Sequence, residues 1–204
     1  MRLPFPIVLA SGSPRRKELL GKMVGAFTVE VSDVDEEALT VKDPWETAER
    51  LASAKAKAVA DARVARRETG TIIIGGDTVV AVPIGGEMVQ LSKPTSAEDS
   101  VRMLGLLSGR RHAVITGIAI YSPFCSLVAS DTAWVTFREL SEAEIRDYVA
   151  SGETMDKAGS YAIQGGAKGF VEKLEGDIET VVGFPTKVLR RMLRQVIESV
   201  PPGA

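Results

Sequence analysis

Short apolar runs alternate along the chain with stretches whose apolar positions recur every three or four residues. In "PRRKELLGKMV", Leu19, Leu20 and Met23 fall on one stripe, which predicts a helix from Pro14 to about Val24. Ser13 suits the N-cap of that helix and Pro14 its first position. A second helix opens at Asp43-Pro44-Trp45-Glu46 and continues through the alanine-rich "ERLASAKAKAVADAR". A third runs from near Ser96 to Leu107. A fourth follows the capping box Ser141 to Glu144 and ends by Ser151-Gly152, and the last runs from Pro185 to about Ser199. Between them lie strand patterns: Ile7 to Ala10, "FTVEV", "TIIIGGDTVVAV", "EMVQL", "HAVITGIAIY", "SLVASDTAWVTF" and "GFVEKLEG".

Ile84-Gly85-Gly86 and Pro123-Phe124 have the composition of hairpin turns, so part of the sheet is expected to be antiparallel. The mixture of strands and helices predicts one α/β domain over residues 1–204, built on a central mixed, twisted sheet flanked by helices. No internal repeat is visible, and the terminal "PPGA" reads as a frayed tail. The start, "LPFPIVLASG", superficially resembles a secretory signal. Its apolar run is short and broken by Pro4 and Pro6, and a helix start follows at once. No run approaches the roughly 18 apolar residues of a membrane span. The expectation is a soluble, cytoplasmic protein without a membrane partner.

Composition narrows the chemistry. At 204 residues and 45% apolar content the chain can bury a sizeable core. A formal charge of −2 argues against general binding to nucleic acid, which needs a basic face. The single cysteine, Cys125, allows neither an internal disulfide nor a cysteine-based zinc site. With one histidine, His112, a catalytic metal must be held mainly by oxygens, which points to Mg2+ or Mn2+. His112 itself, at a strand start beside Arg111, reads as structural or exposed.

Five stretches carry chemically unusual residues. "SGSPRR" sets Arg15 and Arg16 at a helix start, where the macrodipole is already positive and backbone N–H groups point at anions. Either they hold a phosphate or they are solvated. "SDVDEE", Ser32 to Glu37, is either a solvated acidic loop or a site for a hard cation. Lys55, with Lys57 nearby, shares the apolar stripe of Leu51 and Val59, so it either snorkels or reaches a phosphate pocket. Asp77 in "IIIGGDTVV" is expected where the chain leaves the sheet, as a partly desolvated general base or a turn aspartate. "DKAGSYAIQGG" places Gln164 beside a glycine, with Lys157 close by, and Lys93 in "LSKP" lies in extended chain. Lys187, Arg190, Arg191 and Arg194 share one face of the last helix and read as a solvated stripe. Cations, carboxylates and no good cysteine or histidine nucleophile suit a polyphosphate bridged by a divalent ion and attacked by water. The phosphate-loop pattern G-x-x-x-x-G-K-[ST] and a G-x-G-x-x-G fingerprint are both absent.

In order along the chain, "LASGSPRRKELL", "LASAKAKAVA", "GGDTVV", Lys93-Pro94, "LSGRRHAVITGIAI", "YVASGETMDKAGSYAIQG" and "VVGFP" resemble the Maf family. That family is named for septum-formation inhibition and contains nucleoside triphosphate pyrophosphatases. The resemblance implies a cytoplasmic, often dimeric enzyme, similar in fold to inosine triphosphate pyrophosphatases, with two α/β lobes around a cleft. It implies divalent-metal-assisted hydrolysis of a nucleoside triphosphate to monophosphate and pyrophosphate. By motif, Arg15, Arg16, Lys55 and Lys93 correspond to phosphate binders, with Ser13 in the same loop. Asp77 corresponds to the proton acceptor and Glu36 to a metal-side carboxylate. Arg15, Thr78 and Gln164 fall where the family sets substrate preference, and here they resemble the dTTP/UTP branch. Gly76, Ser92 and Phe184 depart from the usual alanine, glycine or glutamate, and leucine. The alternative reading is a nucleotide-binding regulator of cell division whose hydrolysis is incidental.

Overall fold

Capping side chains mark most helix starts in the computed structural model, which describes residues 5–201. The order is β1 (Ile7–Leu9), α1 (Pro14–Met23), β2 (Thr28–Val29), α2 (Glu36–Leu39), α3 (Pro44–Ala65), β3 (Ile72–Ile84) and β4 (Glu87–Leu91). Then follow α4 (Ala97–Leu107), β5 (Arg111–Tyr121), β6 (Ser126–Phe137), α5 (Glu142–Ala150), β7 (Val171–Glu175), α6 (Ile178–Val182) and α7 (Thr186–Glu198). Ser13, Asp43 and Ser141 each cap as expected, Ser96 caps the helix expected to start near it, and Ser141 with Glu144 forms the full capping box. Two short helices, α2 and α6, lie outside the sequence expectation, as do 3-10 turns at Ala158–Ser160 and Gly166–Phe170. All are too short for a periodic signal. Of the "PPGA" tail, only Pro201 lies among the described residues.

The strands form a mixed seven-stranded sheet in the order β2-β1-β3-β5-β6-β7, with β4 pairing β3. β1 runs parallel to β2 and β3, whereas β4 is antiparallel to β3 and β7 to β6. The β3–β4 turn uses Gly85 and Gly86 at φ 60° and 86°, the left-handed pair that a two-residue hairpin requires. The Ser122 N–H donates to the Cys125 carbonyl (3.0 Å) and closes the turn between β5 and β6.

The chain divides into two compact units, passing between them at Asp77/Thr78, Ile115/Thr116, Asp131/Thr132 and Val182/Gly183. In the first, strand alternation buries both faces. Ile7, Leu9, Ile72, Ile74, Ile118 and Ile120 face a core with Leu20 of α1 and Leu189, Met192 and Leu193 of α7. The residues between them, Val8, Ile73 and Ala119, pack with Ala52, Ala56 and Val59 of α3. Burial on both sides is why these strands read as unbroken apolar runs. In the second unit, Val80, Val82, Val114, Val135 and Phe137 pack against Met103, Leu104 and Leu107 of α4 and Ile145 of α5.

One expectation needs correcting. Asp77 does not mark the point where the chain leaves the sheet. Strand β3 continues through it to Ile84, because neither glycine before it takes a turn conformation.

Candidate active site

Two glycines on β3 make room for the charged residues of the first unit. A Cβ on Gly75 would lie 2.4 Å from the Ala52 carbonyl oxygen, and one on Gly117 of β5 would lie 2.2 Å from that of Ala48. Helix α3 therefore rests directly on the strand backbones, with Ala48, Ala52 and Ala56 fully buried. Asp77 follows Gly75 by two residues and so emerges on the same face of β3. Lys55 of α3 meets it there: its Nζ donates to Asp77 Oδ1 (2.5 Å) and to Glu36 Oε1 (2.6 Å). The lysine and aspartate side chains are only 13% and 12% exposed, while Glu36 is 43% exposed, so the group is rooted in the fold and open at one end.

Glu36 is set by local chemistry. Asp35 caps α2 by accepting from the Ala38 N–H (3.0 Å). Buried Thr47 accepts from the Val41 N–H (3.1 Å) and lies within donating distance of the Val41 and Asp43 carbonyls, both at 3.0 Å. This ties the α2–α3 connection to the first turn of α3. The acidic run "SDVDEE" is thus partly a capped helix start, not wholly a solvated loop. Lys57 points outward and pairs with Asp61.

Gly76 faces the other way, and a Cβ there would lie 3.3 Å from Arg16 Nε. Ser13 caps α1 with its Oγ 3.5 Å from the Arg16 N–H. The Arg16 side chain turns inward: Nε donates to the Gly183 carbonyl (2.9 Å) and a terminal nitrogen to Ser11 Oγ (3.1 Å). Desolvation pushes Arg16 below the ordinary guanidinium range, Asp77 and Glu36 oppose the shift, and Arg15 reinforces it. Lys55, Arg15 and Arg16 with Asp77 and Glu36 leave a net positive charge, the electrostatic requirement of a site for a polyanion. Ser11, which is buried, accepts from both Arg16 and the Ser13 N–H (3.3 Å) and was not singled out from the sequence. Its spacing of two before the cap residue was the available signal.

Glu36 and Asp77 converge on one cation from two separate elements. Carboxylates meeting at one positive charge are the donor type that would suit a hard Mg2+ or Mn2+ ion. Among the described residues no group of three His, Cys, Asp or Glu side chains is placed to cage a metal alone.

Thr78, Lys93, Gln164, Lys157 and His112 belong to the second unit. Thr78 follows Asp77 on β3 and is partly buried. Lys93 is exposed between β4 and α4. Gln164 is exposed in a turn closed by the Gly165 N–H and the Ala162 carbonyl (3.0 Å). Lys157 pairs with Asp156 and donates to the Glu153 carbonyl. His112 is fully buried, with Nε2 2.9 Å from the Tyr161 hydroxyl and its ring edge-on to Phe137. Lys187, Arg190, Arg191 and Arg194 all lie on the exposed face of α7.

The Maf-like protein family matches residues 6–196. A dTTP/UTP pyrophosphatase of Koribacter versatilis is 41% identical over 193 residues, covering 95% of each chain. One of Symbiobacterium thermophilum is 44% identical over 189 residues, covering 93% of each. One of Aquifex aeolicus is 40% identical over 190 residues, covering 93% of this chain and 95% of its own. Among solved structures, the Ham1 protein of Staphylococcus aureus matches 94% of this chain and 99% of its own, at 14% identity and a TM-score of 0.49. Among the described residues no helix is long and apolar enough to cross a membrane.

Proposed function

The chain belongs to the Maf family, and from that premise we propose that it hydrolyses a nucleoside triphosphate, dTTP or UTP, to the monophosphate and pyrophosphate. The observation that carries the reading is the Lys55 ammonium held between Asp77 and Glu36, with the partly buried Arg16 turned inward in the same unit. The named activity of the relatives supports the substrate class.

Arg15, Arg16 and Lys55 neutralise the triphosphate, and the N-terminus of α1 adds backbone donors. By motif, Lys93 corresponds to a further phosphate binder. Asp77 takes the proton of the water that attacks at the bond between the α- and β-phosphoryl groups. Glu36 would hold Mg2+ or Mn2+, which would supply further neutralisation of the phosphates when bound. Gln164, with Thr78, reads the base. Uracil and thymine present a carbonyl acceptor beside a ring N–H, a pattern an oriented amide satisfies with its own donor and acceptor. Cytosine presents the reverse. The same reading takes the protein as a cytoplasmic homodimer.

A screen of nucleoside triphosphates with pyrophosphate detection tests the proposal. The expected outcome is UTP and dTTP turnover well above CTP, abolished by chelator and restored by Mg2+ or Mn2+. Equal kcat/KM for UTP and CTP would remove the pyrimidine assignment, and full activity in excess chelator would remove the metal. Nucleotide binding without pyrophosphate release would favour a regulator.

A further inference from the structure

The turn that carries Gln164 is gripped on both sides by side chains from one short segment. Immediately before it, the Ala162 N–H donates to the Tyr148 hydroxyl (3.0 Å). Immediately after it, the Gly166 N–H donates to Glu153 Oε2 (3.0 Å). Backbone donors of an exposed turn are ordinarily left to water. Here both flanking donors are committed to the end of α5 and the loop that follows it.

The gripping residues are themselves fixed. Tyr148 is 6% exposed, with its ring edge-on to Phe170 at 5.2 Å. Burial pushes its hydroxyl up to about 12, the Ala162 N–H opposes this, and Glu153 adds to the rise through its charge and a hydrogen bond. Tyr148 is therefore a neutral hydroxyl at working pH, able to accept from Ala162 and donate to Glu153 at once. The main chain at Glu153 is pinned from both sides, its carbonyl taking the Lys157 ammonium (2.7 Å) and its N–H reaching Ser151 Oγ (3.4 Å). Tyr161, just before the turn, is anchored by its hydroxyl to buried His112 (2.9 Å).

The two glycines after Gln164 answer to the same contacts. A Cβ on Gly165 would lie 2.3 Å from Glu153 Oε2, and one on Gly166 would lie 3.1 Å from the Tyr148 ring. The turn is glycine-rich because the grip is close.

We infer that Tyr148 and Glu153 are positioning residues for base choice, holding the Gln164 turn so that its amide meets the substrate in one orientation. The inference rests on the reading of Gln164 as the residue that contacts the base. An amide on a rocking turn can present either face, and so accept uracil and cytosine alike. Discrimination then depends on the stiffness of the backbone beneath it.

The experiment measures kcat and KM for UTP and CTP in the wild type and in Tyr148→Phe, Glu153→Ala, Glu153→Gln and Gln164→Ala. Tyr148→Phe and Glu153→Ala are each expected to lower the UTP:CTP ratio of kcat/KM by about tenfold, the scale of one hydrogen bond. The KM for UTP should rise more than kcat falls. Glu153→Gln, which keeps a carbonyl acceptor for the Gly166 N–H, should recover most of the ratio. A purely structural role would lower melting temperature and both rates together and leave the ratio unmoved. A ratio within about twofold of wild type in either Tyr148→Phe or Glu153→Ala removes that residue from the proposal. If those ratios hold while Gln164→Ala collapses its own, the grip is overturned and the base-reading role of Gln164 stands. A Gln164→Ala ratio equal to wild type overturns both.

Discussion

At the scale of single residues, charge placement follows from what each strand position faces. Asp77 and Gly75 share one face of β3, and Gly76 looks to the other, so a carboxylate and a partly buried arginine stand on opposite sides of the same strand. Arg16 was legible as an anion-site candidate because two arginines at a positive helix end are unfavourable without an opposing charge. Its inward turn to Gly183, 167 positions away, was not, since no local pattern encodes so distant a carbonyl. If Asp77 accepts the proton of water, Asp77→Asn keeps the shape and loses the base. The expected loss in kcat is about 10²–10⁴-fold, with the fold retained by circular dichroism. Retention of more than about a tenth of wild-type kcat would assign the proton elsewhere.

At the scale of elements, the contact of α3 with β3 and β5 sets the reach of Lys55. The alanine-rich helix was clear in the sequence, and its Asp43 cap and proline start were where expected. Which face it buries was decided by Gly75 and Gly117, which leave the helix backbone nowhere to retreat from an added methyl. Gly117→Ala should therefore destabilise the protein by about 1–3 kcal/mol or more, measured by urea unfolding, because the clash is with backbone. It should also lower kcat/KM, since Lys55 rides on the displaced helix. Stability unchanged from wild type would show that α3 can shift freely. The short helix α2 was missed because four residues cannot show a period. Its Asp35 cap was nonetheless visible as one of several acids.

For the whole molecule, acid sensitivity is written into the core. Burial lowers His112 from its ordinary 6.5 to about 4. The folded state holds the ring neutral while the unfolded chain takes up a proton, so its contribution is complete above pH 6.5. It is lost progressively as pH falls from 6.5 to about 4, amounting to about 3 kcal/mol. Glu144 acts in a lower window. Arg138 and the Ser141 cap hold it at about 2, so what it contributes fades between pH 4.5 and 2. Urea unfolding of His112→Gln at pH 7, 5 and 4 should show a flatter acid slope than wild type. The same slope in both proteins would place the acid sensitivity elsewhere.

The sequence by itself determined the starts of the five longer helices, the two glycine and proline hairpins, the both-faces-buried strands and the list of charged residues. Each of these rests on neighbours within a few positions, through caps, periodicity and turn chemistry. Tertiary structure alone decided that Lys55 joins Asp77 to Glu36 and that β3 runs on through Asp77. It also decided that Tyr148 and Glu153 hold the turn of Gln164. Those pairings span 13 to 22 residues and depend on strand register and on where a glycine lets two backbones touch. No local propensity carries that information, because it belongs to the packing of elements and not to any one of them.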